Sequence, residues 1–375
     1  MLNTTPADRA ELLAQFPELA EYARVAVRLH PRRGVPTVNE SSVGGPLLWP
    51  RDEPWPLCHE DHEFPEPRRT TPPGGTVEQL RRWQAQWTDP DLADHLEGVA
   101  ALLESPRARE AEPTKPTARV VPDGPVVMAS VLQLYRRDLP TEIPERRPEW
   151  IFPHGTDVLQ VLWCPIPHPD TYDPRVRLYW RAQGRIGAMR EANPPLNLAW
   201  DSTDVRFLPE PCWLHPELID EYPPVTIEHP DDVDPDSEEF AASLLGKLPE
   251  YLERACWAWN ADGGPYDEDG EENDYTSLSG APGWKLGGWV PYVSFYPEPA
   301  EFCACGAPTF LLLTATCYEG LDGPWQPREQ PGFPWRSLDS ASNNDPTGVR
   351  GGRNGRMWLV ACTADPTHPI LTYHD

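Results

Sequence analysis

Two sets of cysteine and histidine residues have the types and the spacing of zinc ligands. In one set, Cys303 and Cys305 are separated by a single alanine, and His368 follows Cys362 after a short proline-containing stretch. Structural zinc is commonly bound by four such side chains, supplied as two close pairs from separate turns. The spacing predicts a structural zinc site formed by these four residues, with Asp365 as an alternative to His368 for the fourth ligand.

The other set repeats this arrangement in the N-terminal part of the chain. Cys58 is followed by His62, and Cys164, which ends an apolar run, is followed by His168. His59 is an alternative to His62 as a ligand. A second structural zinc is predicted here, so the chain is expected to bind up to two zinc ions. The competing interpretation is that these cysteines are small buried apolar residues and that the histidines face solvent.

The other three cysteines have no partner at ligand spacing, and we expect them to be core residues; they are Cys212, Cys256 and Cys317. The start of the chain has neither a basic leader nor an apolar core, and no window of the sequence is apolar enough to span a membrane. We therefore expect a cytoplasmic protein that does not contact membranes, and cysteines that are thiols or metal ligands rather than disulfides.

Motifs that would indicate catalysis are absent from the sequence. There is no HExxH, no phosphate-binding Walker loop and no G-x-S-x-G turn. Cys362 and His368 have the types of a nucleophile and its base, but no third residue is marked to orient them. The acidic stretch 262–280 lacks the ligand alternation of an EF-hand calcium loop. A zinc-dependent hydrolase, with three protein ligands and one open position, stays the alternative to structural zinc.

A pair of glycines precedes each predicted zinc site and indicates an internal duplication. The run 285–291 (KLGGWVP) leads into the Cys303 turn, and the run 43–50 (VGGPLLWP) leads into Cys58. In each part a strong apolar strand and then a Cys and His pair follow. The sequence predicts one compact unit made of two pseudo-symmetric β-rich halves, 1–205 and 206–375.

The composition favours an α+β fold that is mainly β, with a few peripheral helices. The 49 prolines disfavour long helices, and the 16 tryptophans suit the core of short strands joined by stiff loops. Helical periodicity predicts an N-terminal helix over 7–23, which Pro17 can split and which we expect to pack on the first half, and a second helix over 240–259. A Pro-rich helical insertion is predicted at 63–123. Strands are predicted at 24–29, 125–136, 155–163, 176–180, 308–317 and 357–362.

The net charge of -27 disfavours direct binding to nucleic acid, because phosphate contacts require lysine and arginine, and we expect no nucleic-acid partner. Much of the acidic excess lies between residues 228 and 274. Such a region is suited to a basic protein partner, although a solvated loop that keeps the protein soluble is the commoner role of such a region, and both interpretations are kept.

Three runs resemble the bacterial YwqG-like family, a domain of unknown function; they are 40–50 (ESSVGGPLLWP), 159–164 (LQVLWC) and 285–291 (KLGGWVP). The second half is also distantly similar to the eukaryotic programmed-cell-death-protein-two group, whose members are chaperones of a ribosomal protein. The resemblance implies a duplicated β-rich domain that binds another protein, and for bacterial relatives a link to toxin immunity. It also implies that a further cysteine pair completes the site of Cys303 and Cys305. This chain has Asp365 or His368 where the second cysteine of that pair would stand.

Together these features predict a non-enzymatic protein-binding module, chaperone-like or immunity-like, stabilised by structural zinc. A scaffold role for a Trp-rich surface is a further alternative. Because the predicted ligands are distant in sequence, bound zinc would contribute directly to folding. Loss of Cys303 or Cys362 is then expected to destabilise the second half first.

Overall fold

The structure is a computed structural model, and two six-stranded antiparallel sheets form most of it. The residues that it describes are 4–60, 62, 124–140, 151–166, 168, 174–196, 207–225, 244–261, 274–290, 300–320, 324–325, 345–351 and 355–374. Within these ranges the fold is α+β and mainly β, as predicted. The predicted insertion at 63–123 and most of the acidic stretch at 262–280 lie outside the described residues.

The sheet that carries the predicted zinc site of Cys303, Cys305, Cys362 and His368 is called sheet A. Its strands, in spatial order, are β10 (Glu217–Glu221), β1 (Arg24–Arg28), β11 (Lys285–Gly287), β12 (Thr309–Thr316), β13 (Arg356–Cys362) and β14 (Leu371–His374).

Sheet B carries the predicted site of Cys58, His62, Cys164 and His168 and has the same number of strands. In spatial order they are β2 (Arg32–Arg33), β9 (Cys212–Trp213), β3 (Ser42–Val43), β6 (Ala129–Tyr135), β7 (Val158–Trp163) and β8 (Val176–Arg181). A separate two-stranded antiparallel sheet pairs β4 (Leu57–Cys58) with β5 (Val126–Val127).

The last four strands of the two sheets follow the same plan. In sheet B the order is β3-β6-β7-β8, in sheet A it is β11-β12-β13-β14, and all of these neighbours are antiparallel. The pairing of the second with the third strand shifts register once in each sheet, next to Val131 in β6 and next to Leu312 in β12. The predicted strands in these positions are confirmed, whereas the duplication itself stays a prediction.

Strands from the two predicted halves of the chain are exchanged between the sheets. β1, near the N-terminus, pairs with β10 and β11 of sheet A, and β9, after residue 205, pairs with β2 and β3 of sheet B. One buried apolar cluster joins side chains of both sheets, such as Val27, Leu313 and Leu359 of sheet A with Val43 and Leu159 of sheet B. The two sheets therefore share a core.

The helices differ from the prediction in two respects. α1 (Arg9–Gln15) ends before Pro17, which opens a 3-10 helix (Pro17–Tyr22), so the predicted split is confirmed. This segment does not pack on the first half: Leu12, Phe16 and Leu19 are buried in a cluster with residues of the second half. The expectation was wrong because spacing shows which face of a helix is apolar, but not what covers it. The second-half members of the cluster are Tyr222, Val225, Leu248, Leu252, Cys256, Tyr275 and Leu278.

The second helix, α2 (Glu250–Ala261), begins later than position 240. Gly246 has a left-handed φ of 66°, and the Glu253 carboxylate accepts hydrogen bonds from the amides of Leu245 and Gly246. Pro249 then precedes the first turn. Residues 244–249 thus form a bonded turn ahead of the helix, which is followed by the short α3 (Tyr275–Ser279). Among the described residues, no helix is long and apolar enough to cross a membrane.

Candidate metal centres

Site 1 consists of Cys58, His62, Cys164 and His168, whose potential ligand atoms all lie within 4.8 Å of one another. Cys58 is the last residue of β4, in the two-stranded β4–β5 sheet. Cys164 directly follows β7, a strand that is buried on both faces, and its amide donates to the carbonyl oxygen of Arg175. The β4–β5 sheet and the end of β7 thus bring the two predicted ligand pairs together.

The distances within site 1 suit a tetrahedral metal ion. The Sγ atom of Cys58 lies 3.3 Å from Nε2 of His168, and Nε2 of His62 lies 3.1 Å from Sγ of Cys164. A tetrahedral zinc with ordinary bond lengths would hold a sulfur and a nitrogen ligand about 3.5 Å apart. The alternative ligand His59 is exposed and is not in the cluster.

Site 1 is strongly buried, and one of its two cysteines favours the thiolate form. Cys58 is 4 %, Cys164 0 % and His168 1 % exposed. The hydrogen bond with Cys164 lowers the pKa of Cys58 to about 3, helped by His168, while that same bond and burial raise the pKa of Cys164. A thiolate and a neutral thiol in a buried cluster are suited to a cation, whose charge favours ionisation of both sulfurs.

Site 2 consists of Cys303, Cys305, Cys362 and His368, and its ligand atoms also lie within 4.8 Å of one another. The cysteine pair lies in a tight turn that precedes β12. The amide of Cys303 donates to the carbonyl oxygen of Ala307, and Gly306 adopts a left-handed φ of 86°, which permits the close turn. Cys362 is the last residue of β13. Each site therefore joins a turn before the second strand of its four-strand run to the end of the third.

The geometry of site 2 identifies His368 rather than Asp365 as a member of the cluster. Nδ1 of His368 lies 3.4 Å from Sγ of Cys362 and 3.6 Å from Sγ of Cys303. The Sγ atoms of Cys305 and Cys362 are 3.6 Å apart, close to the roughly 3.8 Å between two sulfur ligands of a tetrahedral zinc. Asp365 lies behind the ring, with Oδ2 3.8 Å from Nε2 of His368, where a carboxylate orients a ligating imidazole.

Backbone amides help to ionise site 2. Burial opposes the thiolate of Cys362, but hydrogen bonds from His368 and from the amides of Ala364 and Asp365 lower its pKa to about 6. The two sites differ in exposure: Cys305 is exposed and Cys303 and His368 are partly exposed, whereas Cys362 is 6 % exposed. Cys212 and Cys256 are fully buried and outside both clusters, as predicted, and Cys317, also outside them, is partly exposed rather than buried.

The Gly-Gly turn before site 2 encloses a buried ion pair that sequence reasoning missed. The Glu221 carboxylate accepts hydrogen bonds from Nζ of Lys285 (2.6 Å) and from the amides of Ala281 (2.9 Å) and Trp289 (2.8 Å). A Cβ on Gly288 would lie 2.1 Å from Oε2 of this carboxylate, and the residue has a φ of 78°. The run KLGGW therefore supplies a cation, a space and an amide to one carboxylate.

A second buried polar network lies on the same face of sheet A. Nε2 of His30 is 2.8 Å from Oε2 of Glu217, and Glu217 also accepts from the amide and the hydroxyl of Thr4. Arg28 is fully buried and donates to the hydroxyl of Thr4. Burial lowers the pKa of His30 to about 4, with repulsion from Arg28 acting in the same direction and the bond to Glu217 against it. His30 is thus neutral at physiological pH.

Neither of two cavities found in the structure contains a cluster residue. One, of about 800 Å³, includes Arg51, Trp180 and Arg181, and the other, of about 410 Å³, includes Trp289 and Trp325. The clusters therefore do not line either cavity. In comparisons with known proteins, no family model and no curated protein matches this chain.

Proposed function

We propose that sites 1 and 2 each bind one structural zinc ion in a non-enzymatic protein that serves as a binding module. The observation that carries the zinc assignment is the set of four cysteine and histidine ligands in each cluster, whose ligand atoms all lie within 4.8 Å of one another. Thiolate and imidazole ligands of this kind select zinc over magnesium or calcium, which prefer oxygen.

The structural role is favoured by what each site connects. Site 1 connects the two-stranded β4–β5 sheet to the end of β7, and site 2 connects the Cys303–Gly306 turn to the end of β13. Bound zinc would fix these distant segments, so its binding energy would be folding energy. At free zinc about a thousandfold above the dissociation constant, one site would contribute about 4 kcal/mol.

The alternative of a zinc hydrolase is less well supported. A catalytic zinc keeps one coordination position for water, which three protein ligands leave open. Each cluster here offers four side chains, and neither of the two cavities described above includes a cluster residue. With all four side chains bound to zinc, no coordination position would stay open for water.

Metal analysis of the purified chain tests the zinc assignment. We expect two zinc ions per chain, and one in each of the variants Cys164→Ser and Cys362→Ser. Cys212→Ser, which alters a buried cysteine outside both clusters, is the matched control and should keep two. Well under one zinc per chain in the unaltered protein, grown and purified with zinc present, would remove the proposal.

We propose that the protein is cytoplasmic and that its partner there is a basic protein. The net charge of -27 and its concentration between residues 228 and 274 support it, together with the resemblance to the YwqG-like family. The prediction is that a partner captured from the native host is identified as basic and, once purified, binds less tightly as salt increases. Replacing the acidic residues of 262–273 by their amides should weaken that binding; unchanged binding would contradict a role for this surface.

A further inference from the structure

The two clusters differ in how far solvent reaches their sulfur atoms. In site 1, both cysteines and His168 are buried. In site 2, Cys305 is exposed and Cys303 is partly exposed. A small oxidant can therefore reach a sulfur of site 2 directly, whereas in site 1 it would first require local opening of the fold.

The sulfur that solvent reaches also has a second sulfur beside it. Sγ of Cys305 lies 3.6 Å from Sγ of Cys362, a separation that a modest movement of the exposed Cys305 turn can reduce to a disulfide bond. In site 1 the sulfurs of Cys58 and Cys164 also share a hydrogen bond, and each contacts an imidazole nitrogen, but both cysteines are buried. Site 2 thus combines a sulfur that solvent reaches with a second sulfur close enough to form a disulfide with it.

We propose that site 2 is an oxidant-sensitive modification site, at which a peroxide links Cys305 to Cys362 and releases the zinc. This inference rests on the zinc occupancy proposed above. Site 1 keeps its metal under the same conditions and continues to stabilise sheet B. The protein would therefore carry one permanent and one redox-releasable zinc ion.

The chemistry balances with hydrogen peroxide as the two-electron oxidant. The Cys305 thiolate attacks one peroxide oxygen, the O–O bond breaks, and the departing hydroxide takes a proton to leave as water. The Cys362 thiolate then attacks the sulfur of the resulting sulfenic acid, and its hydroxide also takes a proton and leaves as water. Two thiolates are oxidised to one disulfide, one peroxide is reduced to two waters, and the zinc, left with two of its four ligands, dissociates.

The experiment treats the purified two-zinc protein with hydrogen peroxide and follows released zinc with a chromogenic chelator. We expect one zinc per chain to leave at least about tenfold faster than the other, because only one site exposes a thiolate. Tryptic mapping should show residues 286–328 linked to residues 357–375. A disulfide between Cys303 and Cys305 would instead lie within the first peptide, and that result would overturn the proposed pairing.

Two variants make the test specific. Cys305→His keeps four ligands, in the Cys2His2 composition of site 1, and should retain two zinc ions while losing the fast release. Cys317→Ser removes a partly exposed cysteine outside both clusters and should release zinc as the unaltered protein does. Equal release rates from both sites, or fast release that persists in Cys305→His, would overturn the inference. A protein without zinc would instead contradict the structural-zinc proposal itself.

Discussion

Replacing Lys285 by methionine is expected to destabilise the protein by about 3 kcal/mol, because it leaves a buried carboxylate without its cation. Methionine keeps most of the length of the side chain and removes the ammonium group, with its charge and its hydrogen-bond donors. The Lys285 side chain is 2 % exposed and that of Glu221 is 0 % exposed, so water cannot replace the lost ammonium group.

The magnitude follows from what remains around the carboxylate. Breaking a buried ion pair by removing one partner typically costs about 3–5 kcal/mol. After the substitution Glu221 would still accept hydrogen bonds from the amides of Ala281 and Trp289, which stabilise its charge. The expected cost therefore lies at the lower end of that range. Replacing Glu221 by glutamine as well should recover part of the loss, because no buried charge is then left unpaired.

Urea unfolding at a fixed zinc concentration, followed by tryptophan fluorescence, measures these differences. Lys247→Met is the matched control, since Lys247 pairs with Glu301, whose side chain is 67 % exposed. An exposed pair of this kind is worth at most about 1 kcal/mol. Two results would contradict this prediction. One is an equal loss of unfolding free energy in Lys285→Met and Lys247→Met, and the other is a Lys285→Met/Glu221→Gln double variant that is no more stable than Lys285→Met.

Two further predictions concern the same face of sheet A. Gly288→Ala should cost about 2–4 kcal/mol in urea unfolding, because its Cβ would collide with the Glu221 carboxylate at a positive φ, whereas Gly280→Ala, with nothing within 4 Å, should cost under about 1 kcal/mol. His30, whose pKa is lowered from 6.5 to about 4, contributes stability above pH 6.5 that is lost as the pH falls through 4. In His30→Gln the unfolding free energy should rise less steeply with pH over this interval, by a slope that corresponds to at most one proton. A slope equal to that of the exposed control His154→Gln would refute this prediction.

The eight cluster residues could be predicted from the sequence because their signal is chemical and local. Cysteine and histidine are few in this chain, and Cys164 and Cys362 each lie at the end of a strand whose apolar run is easy to recognise. The choice between His59 and His62 could not be made, since both follow Cys58 and only the folded loop shows which ring faces the cluster. The same holds for Asp365, which contacts His368 from outside the cluster.

The ion pair behind the Gly-Gly turn had no comparable signal. Glu221 and Lys285 are common residue types, 64 positions apart, and each reads as an ordinary surface residue until the sheet order places β10, β1 and β11 side by side. The start of α2 at Glu250 was missed for a related reason. Leucine spacing continues upstream of it, but the Glu253 carboxylate bonds the amides of 245 and 246 and stabilises a turn there.

The exchange of strands between the sheets changes what loss of a zinc site should do. Two independent halves would unfold separately, and removing a ligand of site 2 would then melt the second half first. Here β1 completes sheet A, β9 completes sheet B, and side chains of both sheets fill one core cluster. Opening sheet A therefore exposes the core of sheet B as well. Cys362→Ser should lower the midpoint of a single thermal transition, seen alike by fluorescence and by far-ultraviolet circular dichroism; two separated transitions would show that the halves fold independently.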